Sequence, residues 1–203
     1  MNILVLIGSS RKNGNSANIF EYLKQHELSS KYSIEGVYIS DYNIENCKSC
    51  YGCNQGGCVI DDDMSIIVEK MINADAIIYL PVVYAFSTNS TMQVFLERCG
   101  FGYLRVQGRP LRNKLANVIV VGRRYAHLNV ISQIFMNIYL NEMIILGSGF
   151  PLVVMCDGDF PGDAMLDEEG KNSIDRCITR MVEYYYEKRE SSSVITAEGV
   201  ARI

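Results

Sequence analysis

The first apolar run of the chain, Asn2–Ile7 (NILVLI), is continuous and stops at Gly8. A strand buried on both faces has this pattern, whereas a half-exposed strand alternates. Helical spacing takes over in Ser16–Gln25, where Ile19, Phe20 and Leu23 share one face. The two patterns then trade places down the chain. Tyr32–Ile39, Ala76–Leu80, Leu115–Val121 and Leu152–Met155 read as four more strands. Between them, Met64, Ile67, Val68, Met71 and Ile72 mark a helix opened by Asp61, Asp62 and Asp63, whose carboxylates suit the free N–H groups and positive dipole end of a first turn. Residues 88–99 turn Met92, Phe95, Leu96 and Cys99 inward. Asn129–Leu146 does the same with Val130, Ile131, Ile134, Phe135 and Ile138. Asn172–Lys188 closes the chain on Ile174, Ile178, Met181, Val182 and Tyr185, and Ser191–Ile203 is a polar tail.

Five buried strands alternating with helices predict an α/β fold: a doubly wound five-stranded parallel sheet, order 2-1-3-4-5, in a three-layer αβα sandwich. No repeat or low-complexity linker divides the chain, so residues 1–203 form one domain. In such sheets ligands bind beyond the carboxyl ends of the strands, where the strand order reverses. The segments there are GSSRKNGNS, PVVYAFSTNS and GRRYAH.

Composition narrows the function classes. A net charge of −4 gives no electrostatic footprint for nucleic acid. No apolar run reaches the roughly 18 residues of a membrane helix, since the longest, Ala76–Phe86, is broken by Pro81. The start of the chain lacks a secretory pattern, which places the protein in the cytoplasm, where thiols stay reduced.

The segment after the first strand reads as a phosphate cradle. Ser9, Ser10, Asn13, Asn15 and Ser16 bring small hydrogen-bonding side chains, Gly8 and Gly14 allow tight turns, and Arg11 adds charge. The helix that follows supplies oriented N–H groups. The loop has no Lys-Ser/Thr pair for a triphosphate and its Mg²⁺, so it suits a monophosphate. Pro81, Val83, Tyr84, Ala85 and Phe86 offer a rigid, aromatic border for a flat ring. Gly122, Arg123, Arg124 and Tyr125 offer cations for a reduced ring or a nicotinamide donor's phosphates, or a solvated basic turn. His127 reads either as a proton donor or as an ordinary helix-start residue.

Four of the seven cysteines, Cys47, Cys50, Cys53 and Cys58, fall in CKSCYGCNQGGC, spaced C-x2-C-x2-C-x4-C. Such a cluster in a reduced compartment points to metal or redox chemistry. A [4Fe–4S] cluster, tetrahedral zinc and free or reversibly oxidised thiols all stay open. Cys99 and Cys177 read as small buried hydrophobes, and Cys156 ends a strand near the site.

Three stretches together, GSSRKNGNSAN, CKSCYGCNQGGCVIDDDM and PVVYAFSTNSTMQVFLER, resemble the NADPH-dependent FMN reductase superfamily and, within it, the iron–sulfur flavoproteins. The resemblance implies a flavodoxin-like fold, FMN held by the three loops, NAD(P)H as electron donor, and a homodimer or homotetramer. It implies that Ser9, Arg11, Asn13, Asn15 and Ser16 hold the phosphate, and that Pro81, Val83, Tyr84, Ala85 and Phe86 border the ring. The four clustered cysteines would ligate a [4Fe–4S] cluster, although their last gap is one residue shorter than the family's usual spacing. The expected activity is an FMN-dependent NAD(P)H oxidoreductase passing electrons to a small-molecule or protein acceptor. The rivals are an electron carrier without a substrate and a specialised biosynthetic flavoenzyme shaped by Arg123–Pro161.

Overall fold

The computed structural model describes residues 1–157 and 162–197. Its central sheet is parallel, built from β2 (Ser33–Tyr38), β1 (Asn2–Ile7), β3 (Ala76–Leu80), β6 (Leu115–Val118) and β8 (Ile144–Ile145), in that spatial order. A short hairpin, β4 (Val83–Tyr84) with β5 (Ser87–Thr88), stands beyond β3. Helices α1 (Asn15–Gln25) and α5 (Glu168–Ala197) cover one face, and α2 (Met64–Asn73), α3 (Ser90–Glu97) and α4 (His127–Leu140) cover the other. The continuous apolar strands have the reason expected of them. In β1, Ile3, Val5 and Ile7 pack with Ile19, Leu23, Ile174 and Ile178, while Leu4 and Leu6 pack with Met64, Ile67 and Phe95. This is the expected doubly wound α/β sandwich.

The fourth and fifth strands depart from the simple pattern. Beyond β6 the fourth strand continues as β7 (Val120–Gly122), with the Ile119 N–H donating to Tyr79 across the joint. The fifth strand is two pieces. Ile144–Ile145 pairs with Leu115 and Ala116, and β9 (Val153–Met155) pairs with β7, while residues 146–152 loop out between them. Buried Asn117 accounts for the gap. Its amide donates to the Leu146 carbonyl (2.8 Å) where the ladder breaks, and also reaches the Cys177 sulfur (3.1 Å).

The helix expected over Asn129–Leu146 therefore ends earlier. α4 stops at Leu140, Glu142 turns left-handed (φ 55°), and the β-branched pair Ile144–Ile145 joins the sheet. The predicted strand Leu152–Met155 is the second half of that lane. α5 begins at Glu168, where Asp167 accepts the N–H groups of Gly170 (3.0 Å) and Met155 (2.7 Å) and so ties the helix to β9. Its backbone runs on to Ala197, through much of the segment read as a tail; residues 198–203 lie outside the described residues. Cys99 and Cys177 are buried, and burial pushes the Cys177 thiol up to about 12, as expected of inert core thiols. Among the described residues no helix is long and apolar enough to cross a membrane.

Candidate functional site

Three loops meet beyond the carboxyl ends of β1, β3 and β7. They enclose a cleft of about 190 Å³, lined by Ser9, Arg11, Gly14, Asn15, Ser16, Val82, Val83, Tyr84, Val121, Gly122, Arg123 and Cys156. The α1 N-terminus opens into it. No side chain caps that helix, so its first N–H groups stay available to an anion. The Ser16 hydroxyl is buried and has no partner among the described residues. Ser9 Oγ accepts the Arg11 N–H at 3.2 Å, which sets the loop's first turn. Arg11 and Arg123 are exposed and form no ion pair among the described residues. A buried orphan hydroxyl at a helix N-terminus, flanked by free guanidinium groups, fits a phosphate.

Asn15 lines the cleft as expected, but its side chain is used differently. Its amide donates to Asp163 (2.8 Å), and its carbonyl oxygen accepts the N–H groups of Gly162 (3.0 Å) and Ala164 (3.1 Å). The side chain is spent on fastening the loop, which leaves the backbone N–H for a ligand. Asn13 is exposed and outside the cleft lining. Pro81, expected at the ring border, is buried and outside the cleft lining, its carbonyl accepting the Val121 N–H at 3.2 Å.

The far wall is built by close backbone approach. A Cβ on Gly122 would lie 2.8 Å from Val83 Cγ2 and 3.0 Å from His127 Nε2, so only glycine lets β7 pass beneath the hairpin. The hairpin turn itself is strained. Ala85 and Phe86 both have positive φ, 47° and 66°, where a two-residue hairpin turn normally uses Asn-Gly. Strain of this kind gathers at ligand-clamping segments. It holds Tyr84 and Phe86 out to solvent, 50% and 69% exposed. Phe86 and Tyr125 line a second, wider cavity of about 780 Å³ beside the first, together with His127, Leu128 and Phe150. A hollow of about 570 Å³ around Asn2, Glu35 and Lys70 lies at the opposite, N-terminal edge of the sheet, away from all three loops.

Cys156 lines the cleft as well. Its N–H donates to the Gly122 carbonyl (3.0 Å), and burial, aided by Asp163, pushes its thiol above the ordinary range.

The cysteine loop is a separate structure, fastened at its base. Arg98, which directly follows α3, is 2% exposed. Its guanidinium donates to both Asp62 oxygens (2.6 and 3.1 Å), to the Glu45 carbonyl (2.7 Å) and to the Cys58 sulfur (3.5 Å). Asp62 also accepts the Glu45 and Met64 N–H groups. Burial alone would raise the Asp62 carboxyl, but the bond to Arg98, the two N–H groups and the neighbouring cation outweigh it and hold the carboxyl below its usual range. Above this clamp the loop is open. Ser49, Tyr51, Gly56 and Gly57 all have positive φ, and Cys47 and Cys50 are exposed. Among the described residues no three His, Cys, Asp or Glu side chains gather where they could hold a metal ion. The four thiols thus have the donor chemistry of a cluster without, in this conformation, its geometry.

Over residues 1–156 the chain matches the sequence profile of a family described as NADPH-dependent FMN reductase. The chain belongs to that family. Among FMN reductase family relatives, it is 31% identical over 150 residues to an iron-sulfur flavoprotein of Methanosarcina thermophila, covering 72% of this chain and 78% of the other. It is 27% identical over 198 residues to an iron-sulfur flavoprotein of Archaeoglobus fulgidus, covering 90% and 94%. The fold is also that of RosB, solved with a bound 8-demethyl-8-formylriboflavin-5′-phosphate intermediate: TM-score 0.71, 14% identity, covering 100% of this chain and 89% of RosB. For this FMN reductase family member, two buried polar side chains escape a motif reading: Arg98 at the base of the cysteine loop, and Asn89, whose amide donates to the Gly8 carbonyl at 2.7 Å. Arg98 is a lone charge in an apolar helical stripe, which is the one signal that could have found it. Asn89 is hidden because it occupies an ordinary helix-start position.

Proposed function

We propose that this protein is an FMN-dependent NAD(P)H oxidoreductase that carries its flavin in the three-loop cleft. The observation that bears most weight is the α1 N-terminus: uncapped backbone N–H groups, an orphaned buried Ser16 hydroxyl and unpaired Arg11 converge on one point. Ser9, Arg11, Ser16 and the backbone of Asn13–Asn15 hold the phosphate. Val82–Tyr84 and Gly122–Arg123 border the ring, with Pro81 stiffening the wall. Bound FMN supplies hydride acceptance and one- or two-electron release. The chain positions the ring, excludes water beneath it, and sets Arg123 where negative charge would gather on reduction. Phe86 and Tyr125 frame the adjoining cavity, which gives a nicotinamide donor or a small-molecule or protein acceptor access to the ring edge. Exposed Leu128, Met136 and Tyr139 along α4 support assembly as a homodimer or homotetramer, and we place the protein in the cytoplasm.

A second reading concerns the cysteine loop. Four thiols on an open loop with a buried ion pair at its base support closure around a [4Fe–4S] cluster, and the Methanosarcina and Archaeoglobus relatives are named iron-sulfur flavoproteins.

The test is anaerobic. FMN-loaded protein is mixed with NADH or NADPH, and the flavin absorbance is followed, with iron and acid-labile sulfide assayed on the same sample. Bleaching by a nicotinamide supports the oxidoreductase. Bleaching only by a chemical reductant would favour an electron carrier. About four irons per chain would support the cluster, and their absence would leave the cysteines as zinc ligands or thiols.

A further inference from the structure

We propose that Asn89 is a positioning residue that locks the phosphate loop to the flavin-bordering hairpin, so that FMN affinity depends on a side chain outside the cleft. The inference rests on the flavin site proposed above.

Asn89 stands directly before α3 with extended backbone (φ −65°, ψ 155°), and its carbonyl accepts the Gln93 N–H at 3.0 Å. An asparagine in this position ordinarily turns its side-chain oxygen onto the first-turn N–H groups of its own helix. Here it makes no such bond. Its Nδ2 instead donates to the carbonyl of Gly8, 81 residues earlier in the chain, at 2.7 Å in a buried setting. Gly8 is the hinge between β1 and the phosphate loop. Its N–H is already taken by the Leu80 carbonyl at the end of β3 (3.0 Å). Both polar groups of this one residue are therefore held, one by β3 and one by Asn89. The fit leaves no slack, because a Cβ on Gly8 would lie 2.8 Å from Asn89 Oδ1 and 3.4 Å from the Pro81 backbone.

Asn89 also follows β5 without a break, and β5 pairs with β4, whose Val83 and Tyr84 wall the cleft. One amide thus fixes the start of the phosphate loop relative to the ring wall. Its other atom, Oδ1, is buried with no partner among the described residues. A residue that abandons its local cap for a contact across the site, at the cost of an unpaired oxygen, serves the site before the helix.

The test separates the latch from a cap. Asn89→Ser and Asn89→Asp both keep a capping oxygen and remove the Nδ2 donor. Asn89→Ala removes both. Each variant is measured for unfolding of the apoprotein and for affinity toward FMN and riboflavin. The latch predicts that FMN affinity falls about tenfold in all three variants, Ser and Asp included, alongside the drop in apoprotein stability that follows from losing a buried hydrogen bond already made without ligand. Riboflavin affinity should change little, because the latch acts through the phosphate loop. If the Ser and Asp variants bind FMN like the wild type, the latch is wrong even though the flavin site stands. If the wild type itself binds no FMN, the flavin reading falls, and the latch with it.

Discussion

Arg98 carries a permanent charge into the protein interior, and its side chain and that of Asp62 are 2% and 1% exposed. Burying two ions is expensive, and removing one partner leaves the other uncompensated, at about 3–5 kcal/mol. Their bonds to Glu45, and that of Arg98 to Cys58, give that cost a purpose, which is to close the base of the cysteine loop. The pH dependence follows from the sign of the shift. The folded Asp62 carboxyl lies below its unfolded value of 3.8. The stability it contributes is complete above that value and is lost as pH falls through the lower, folded one. Acid unfolding below about pH 4 should therefore be shallower in Asp62→Asn, which should also lose about 3–5 kcal/mol at neutral pH. Denaturant melts of both proteins across the acid range check this. A variant with wild-type stability at neutral pH would show that the clamp is not a stabilising contact.

At the scale of elements, the hairpin is the place where local preference and function conflict. Ala85 and Phe86 occupy left-handed backbone, which costs an L-residue about 1–2 kcal/mol. Glycine would relieve that strain and lose some of the gain to its greater freedom when unfolded. Ala85→Gly should thus stabilise the protein by about 0.5–1 kcal/mol. Thermal unfolding reads the change directly, and a destabilised variant would show that the turn is not under strain. The hairpin was also beyond reach of the sequence pattern. PVVYAFSTNS has no Asn-Gly or Asp-Gly signal, because the turn is held by the fold against local propensity. The split fifth strand was hidden for a related reason. Ile144 and Ile145 continue the apolar spacing of α4, and only the tertiary bond from Asn117 to Leu146 reveals where helix gives way to sheet.

At the scale of the whole molecule, the long-range order was legible. Continuous apolar strands separated by helical stripes leave few alternatives to a doubly wound parallel sheet, and the ligand edge follows from that topology. The loops that meet there are the three the strand ends announce. What sequence could not assign was how each side chain is used: Asn15 fastens the loop to residues 162–164, Asn13 faces solvent, and Asn89 holds Gly8. The cysteines show the same limit from the other side. Their spacing reads as one constellation, yet Cys58 rests against the buried guanidinium while Cys47 and Cys50 stand exposed above the clamp.

If the flavin is held by its phosphate at the α1 N-terminus, a paired titration of the apoprotein with FMN and with riboflavin will separate the two ligands. The two ligands share the ring and differ in the phosphate. One FMN should bind per chain, and riboflavin more weakly by about a hundredfold, the worth of a charge-assisted phosphate contact. Equal affinity for the two, or binding of neither, would contradict it.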